Sequence, residues 1–443
     1  VKAIELIRAT GVAFTALPPL TLYVHTPWCV KKCPYCDFNS HELKGELNDG
    51  AYVDALLKDL ESVLPQVWGR RVHAVFIGGG TPSLFSAAAI DKLLAGIRAR
   101  LLLEADAEIT LEANPGTVEA ERFAAYAQSG INRISLGVQS FDDAKLKALG
   151  RIHGSDEAHA AIEIAKRTVG NFNIDLMYAL PDQTPDQALA DIRAAIAHAP
   201  PHLSAYHLML EPNTLFARYP PNVPDADTAA EIEDAVHAEL MSAGYERYEV
   251  SAFARPTPSP ASAVEGWGGG QPQPAALQVL AASPPLPDPP PLMRERGQSA
   301  LRTGSNRCKH NLNYWHFGDY IGIGAGAHGK LSFHDRVVRT VRYKQPKAYL
   351  DAVAAGNAVQ EERVLTAADL PFEFMLNALR LTDGFDLRLY TERTGLPLTT
   401  ALAALDAAHA KGLLVRDHAR AAPTALGLRF LNDLTELFLA DKA

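Results

Sequence analysis

Six apolar, strand-like runs fill the first two-thirds of the chain, each followed by a helix-like run: TLYVHT at 21–26, HAVFI at 73–77, EITLEAN at 108–114, RISLGVQ at 133–139, FNIDLMY at 172–178 and LSAYHLML at 203–210. The intervening helical runs include AYVDALLKDLESVL, AAAIDKLLAGIRARL and VEAERFAAYAQSG, the last with a glycine end signal. Strands joined through helices pair in parallel, with helices covering the sheet. Right-handed crossovers leave two solutions, an open doubly wound sheet or a full or partial barrel. Glycines 78–80, Glu112, Gln139 and Asp175 fall near strand C-terminal ends, where both architectures gather their polar groups.

The texture changes twice. Residues 257–303 are rich in Pro, Gly, Ala and Ser, and PPLPDPPP neither propagates a helix nor sits in a central strand. This stretch reads as a disordered or extended surface insertion, which costs a fold little. Order is expected to resume near Asn306, and 304–359 reads as a barrel extension and junction. From about 360, helix-like pieces joined by short turns, with a small hairpin in VRDHARAAPT, suggest a helical, winged-helix-like domain over 360–443. It lacks a basic recognition helix, so a structural or docking role is expected rather than DNA binding. The expected barrel domain covers 18–256, after an atypical N-terminal segment at 1–17.

A net charge of -9 without a basic run argues against nucleic acid as partner. The opening residues lack the apolar core of a signal peptide, and no stretch reads as a membrane span, so the expected location is the cytoplasm.

There are four cysteines, and three of them, Cys29, Cys33 and Cys36, fall within CVKKCPYC. Such clustering favours a metal site in a reducing compartment over a disulfide scaffold. Three thiolates on one tight loop can grip three corners of a cubane iron–sulfur cluster and leave the fourth iron open. Structural zinc is the rival, with His25 or His41 as fourth ligand. Cys308 stands apart and reads as a partly buried free thiol.

C-x3-C-x2-C with an aromatic residue, Tyr35, before its last cysteine resembles the signature of radical S-adenosylmethionine enzymes. The resemblance implies an α/β fold with a partial (β/α)6 barrel. It also implies a [4Fe-4S] cluster on Cys29, Cys33 and Cys36, S-adenosylmethionine chelating the open iron, and an electron donor for the cluster. Glycines let the backbone of Gly78, Gly79, Gly80 and Thr81 approach a ligand closely, and the resemblance has that loop contact the methionine moiety. By the same resemblance Glu112 accepts from the cofactor ammonium, and Gln139, Arg151, Asp175 and Tyr23 are further cofactor contacts. Tyr35 and Phe38 are expected to shield the cluster.

The longer segments PPLTLYVHTPWCVKKCPYCDFNSH, FIGGGTPSLF, GINRISLGVQSFDDAKLKALGRIH and HNLNYWHFGDYIGIGAGAHGK resemble the coproporphyrinogen III oxidase-like branch of that family, and within it the bacterial heme chaperones. The implied function is to bind heme as cargo and transfer it to acceptor hemoproteins such as membrane respiratory enzymes. Peripheral membrane association and a transient homodimer accompany it. The alternative is an oxygen-independent coproporphyrinogen III dehydrogenase, a radical oxidative decarboxylase. That enzyme carries a longer N-terminal region and a further cysteine two positions after the third; Phe38 stands there in this chain, so decarboxylation is not expected. In HNLNYW, His310 is the candidate heme-iron ligand, and Tyr314 and Trp315 are candidates to stack on the macrocycle.

Overall fold

The computed structural model describes residues 11–257 and 306–440; residues 258–303 of the proline-rich segment lie outside the described residues. The chain divides into two units, Val1–Arg255 with Arg307–Ala443, and Pro256–Asn306. The two large hydrophobic cores belong to the first.

The six expected strands form as β1 (Leu20–Thr26), β2 (Arg71–Gly79), β3 (Leu102–Ala113), β4 (Arg133–Gln139), β5 (Phe172–Tyr178) and β6 (His202–His207). Each pairs in parallel with the next in sequence. Strictly sequential order excludes a doubly wound sheet, whose order reverses at a switch point. It is the order of a (β/α) barrel, left open here. On its far side β6 pairs with the antiparallel β7 (Ala252–Ala254), while β1 pairs outward with β8 (Asp319–Ile323).

β8 is a seventh parallel strand, outside the six that hydropathy picks out. Beyond it, β9 (His328–Phe333), β10 (Arg336–Arg342) and β11 (Val359–Leu365) continue the sheet antiparallel. The described part of the 304–359 segment therefore contributes β8, β9 and β10 to the main sheet. Two buried acids pin it there. Asp59 on the helix Asp49–Val67 binds Arg342 at 3.1 Å, the Tyr349 hydroxyl at 2.9 Å and the Gly324 N–H at 3.2 Å. Asp319, fully buried, pairs with Arg70 at 2.8 Å and Lys330 at 3.1 Å and accepts from the Ser332 N–H. A buried carboxylate with this many partners is tolerable where a lone one is not.

Local signals set the helix ends. Asn48 caps the Ala51 N–H, Thr184 and Gln187 form a capping box for Pro185–Ala197, and Gly130, with φ 108°, ends Ala120–Ser129. The barrel helices bury Leu56, Leu60, Leu93 and Ile162 against Leu22, Val24, Leu111 and Leu136 of the strands.

The C-terminal domain has the expected character. Helices Leu370–Ala378, Leu387–Thr394 and Thr399–Ala410 enclose Phe374, Tyr390 and Leu405. The hairpin Leu414–Arg416 with Arg420–Pro423 forms the wing. The segment 11–17 is not a separate appendage: Val12 and Phe14 are buried in this same core, and the Ala13 N–H donates to the Gly395 carbonyl at 2.9 Å.

Candidate cofactor site and aromatic chamber

The cysteine loop follows β1 directly. Trp28–Cys29 forms a two-residue parallel pair with His41–Glu42, which closes the loop at its base. Between them the Cys36 N–H donates to the Cys33 carbonyl, and Phe216 reaches in to hydrogen-bond Pro34. All three thiols are free and half-buried. Burial pushes the Cys29 and Cys36 thiols up; the Thr81 hydroxyl opposes this at Cys29, and the Ser40 hydroxyl, 3.7 Å from Sγ, at Cys36.

The glycine loop after β2 is clasped beneath the cysteines. The Gly80 N–H donates to the Thr26 carbonyl at 2.6 Å and the Thr81 N–H to the Trp28 carbonyl at 2.7 Å. A Cβ on Gly80 would lie 2.5 Å from the Trp28 carbonyl oxygen, so the close approach needs glycine. A second glycine turn, 324–327, meets the same loop from the other side. Asn39 donates to the Ala325 carbonyl at 2.8 Å, and Gly324 packs on the His25 carbonyl.

Glu112 ends β3 with Oε2 accepting the Gly79 N–H at 3.0 Å. Burial, only partly opposed by that bond, pushes its carboxyl up to about 8. Gln139 ends β4 at φ 72°, beside Arg151. Buried Asp191 fixes the turn after it by accepting from Ser140 at 2.8 Å and Phe141 at 2.7 Å. Arg151 donates to the Gly137 carbonyl at 2.6 Å and lies 3.7 Å from Cys33 Sγ, and its buried Nε has no hydrogen-bond partner. Asp175 is held by Ser135 at 2.8 Å and Asn173 at 2.7 Å, and burial raises its carboxyl.

Tyr23 donates to His25 Nδ1 at 2.8 Å and stacks on Phe76. His25 Nε2 faces the Asn39 carbonyl, which assigns its proton to Nε2. Tyr35 packs against Phe216. Phe38, expected as a shield, is 59% exposed.

Tyr23, Phe38, Gly79 and Glu112 share one chamber of about 460 Å³ with Tyr314, Trp315, Tyr320, His328 and Arg339. Four of the expected cofactor contacts thus share a space with the aromatic pair of HNLNYW, while Tyr35, Gly80, Thr81, Gln139, Arg151 and Asp175 lie outside its lining. Tyr320, His328 and Lys330 lie in the HNLNYWHFGDYIGIGAGAHGK segment and Arg339 outside it; the sheet extension through β8–β10 brings all four here.

His310 departs from its expectation. It lies on the helix Lys309–Trp315 but outside the chamber lining, its ring 4.0 Å from Phe76 and its Nδ1 3.3 Å from Glu108. His310 and Tyr314 share one helix face a turn apart, and the rise of that turn carries His310 past the chamber to Glu108 and Phe76. Cys308 departs too: it is fully buried, not partly.

The residues present fit an iron–sulfur cluster with an amino acid chelate. Three thiols share one loop, the Arg151 guanidinium lies 3.7 Å from one of them with its buried Nε unpartnered, and the Glu112 carboxylate accepts from the side-chain-free backbone edge at Gly79. A barrel opening so arranged defines a radical S-adenosylmethionine protein, and the comparisons agree. The Radical SAM superfamily model matches residues 23–195 and the HemN C-terminal domain model residues 365–430. The chain is 46% identical over 427 residues to "Heme chaperone HemW" of Escherichia coli (strain K12), covering 96% of this chain and 99% of that protein. It is 30% identical over 438 residues to the Lactococcus lactis protein of the same name, covering 96% and 98%. The chain belongs to the HemW family of radical S-adenosylmethionine proteins. Its fold is similar to that of the solved E. coli coproporphyrinogen III oxidase HemN, with a TM-score of 0.73 and 24% identity over 97% of this chain and 92% of that one. The family's cofactors are a [4Fe-4S] cluster and S-adenosylmethionine.

Proposed function

We propose that the protein is a heme chaperone, which binds heme in the aromatic chamber and passes it to acceptor hemoproteins. The observation that carries this reading is the end-to-end likeness to E. coli HemW, 46% identity across 99% of that protein. The chamber supports it: Tyr314, Trp315 and Tyr320 offer flat apolar surface for a macrocycle.

When bound, the cluster and S-adenosylmethionine supply an electron-transfer and sulfonium-cleaving centre. Around it the chain's residues hold and exclude. Glu112 orients an ammonium group through its free oxygen. The Gly79–Gly80 edge lets the methionine moiety lie against backbone. Arg151 compensates thiolate charge at Cys33, and Tyr35 closes the loop against Phe216. Gln139, Asp175 and Tyr23 line the approach to the remainder of the cofactor.

Acceptors are proposed to include membrane respiratory enzymes. Among the described residues no helix is long and apolar enough to cross a membrane, so contact with such acceptors is proposed to be peripheral, from the cytoplasm. An external electron donor and a transient homodimer complete the reading. Decarboxylation of coproporphyrinogen is not proposed, because Phe38 occupies the position where the decarboxylase has a cysteine.

Spectral titration with heme tests the site. Wild type is expected to bind one heme per chain, and Trp315→Ala to bind about tenfold more weakly, corresponding to about 1.4 kcal/mol of lost stacking. Equal affinity of the two proteins would move the heme site elsewhere.

A further inference from the structure

Behind the chamber wall lies a second group of metal-binding side chains that the heme reading does not use. Cys308 Sγ is 2.9 Å from His310 Nδ1 and 3.2 Å from Glu108 Oε1, and Nδ1 is 3.3 Å from the same oxygen. The three residues are 0%, 6% and 8% exposed. A soft sulfur, an imidazole nitrogen and a carboxylate oxygen thus form a nearly equilateral triangle in the protein interior.

Hydrogen bonding explains only part of this. Glu108 accepts the N–H groups of Lys309 at 3.2 Å and His310 at 3.4 Å, which accounts for a carboxylate at the start of that helix. It does not account for a thiol and an imidazole facing the same oxygen. One thiol proton and one imidazole proton fill at most two of the triangle's three edges. A single ion satisfies all three donors together. With bonds of roughly 2.0–2.3 Å, it would sit about 1 Å above the plane of the triangle, leaving one tetrahedral position open.

The charges also balance. The Arg133 guanidinium is buried beside Cys308 and Glu108 and feels Asp175 as well. Glu108, Asp175 and an ionised Cys308 carry three negative charges; Arg133 and a divalent ion carry three positive ones. Binding needs no redox step: the Cys308 thiol proton leaves for solvent as the sulfur–metal bond forms.

We propose that Glu108, Cys308 and His310 form a buried site for a zinc-type divalent transition-metal ion, separate from the cysteine loop. The S/N/O donor set suits zinc and excludes calcium and magnesium, which take oxygen ligands. The site would tie the Lys309–Trp315 helix, with its chamber residues Tyr314 and Trp315, to β3.

Cobalt(II) provides the test, because a thiolate bound to it gives a near-ultraviolet charge-transfer band. In the full chain with Cys29, Cys33 and Cys36 replaced by serine, Cys308 is the sole remaining thiol. One equivalent of Co2+ is expected to produce the band. Cys308→Ala should abolish it, and His310→Ala and Glu108→Gln should each weaken binding by more than about tenfold. Absence of the band in a folded chain overturns the site. If the serine variant does not fold, metal analysis of the cluster-loaded wild-type protein replaces it. One zinc per chain, absent from Cys308→Ala, supports the site; equal zinc in both proteins, or none in wild type, overturns it.

Discussion

The Gly79 N–H points at Glu112 Oε2 across 3.0 Å, joining the ends of two neighbouring strands at the mouth of the barrel. Burial leaves that carboxyl titrating near 8, so without a cationic partner it is protonated through most of the physiological range. A ligand ammonium group would reverse this by stabilising the carboxylate.

The sign of the resulting pH effect is fixed. A carboxyl raised in the folded state binds more protons folded than unfolded between about pH 4.5 and pH 8. Its stabilising contribution is full below that window and lost as pH rises through it. Glu112→Gln should therefore gain stability relative to wild type across the window, by about 1–3 kcal/mol in the cofactor-free protein. Urea unfolding of both proteins at low and high pH measures it. The same variant should lose S-adenosylmethionine affinity in equilibrium dialysis of the cluster-loaded protein. A difference in stability independent of pH would contradict the assignment.

Gly80→Ala places a methyl group 2.5 Å from the Trp28 carbonyl oxygen and must push the glycine loop off the cysteine loop. Overpacking of this kind costs about 1–3 kcal/mol. The expected result is a folded protein by circular dichroism that retains less iron after anaerobic reconstitution. Wild-type iron content would show that the clasp is not needed.

Arg151 brings a positive charge to 3.7 Å from Cys33 Sγ. Positive charge beside a cluster favours its reduced form. Arg151→Gln should lower the cluster's reduction potential by tens of millivolts, read by redox titration of the electron paramagnetic resonance signal. An unchanged potential would confine Arg151 to its bond with the Gly137 carbonyl.

Asp59 is the keystone for β10 and the turn at Gly324. Replacing it with alanine strands Arg342, which is 2% exposed, with its charge unpaired. Loss of one partner of a buried pair costs about 3–5 kcal/mol, so Asp59→Ala should show a matching fall in urea-unfolding stability. A loss below about 1 kcal/mol would show that Arg342 finds another partner.

The cysteine loop is legible in sequence because its three cysteines lie within eight residues and a strand precedes it. The six barrel strands are legible because each is a continuous apolar run. β8 is harder to see: DYIGI is short, glycine-containing and remote from β1, and only tertiary pairing makes it parallel. The chamber's polar side rests on that pairing, so Arg339 carries no local signal, and His328, though inside the HNLNYWHFGDYIGIGAGAHGK segment, shows no role from sequence. His310 shows the opposite difficulty. Its motif points to ligation, but the decisive neighbour, Glu108, lies 202 positions away in sequence. The short N-terminal pair Val12 and Phe14 reads as nothing in isolation, and its meaning comes from the C-terminal core it completes.

Heme transfer by the anaerobically reconstituted protein tests the central claim most directly. The protein would be loaded with one equivalent of heme and mixed with a heme-free acceptor enzyme, while a parallel sample receives coproporphyrinogen III, S-adenosylmethionine and reductant. The account predicts that acceptor activity returns as heme leaves the protein, and that the parallel sample releases no carbon dioxide. Decarboxylated product, with no heme bound or passed on, would contradict it.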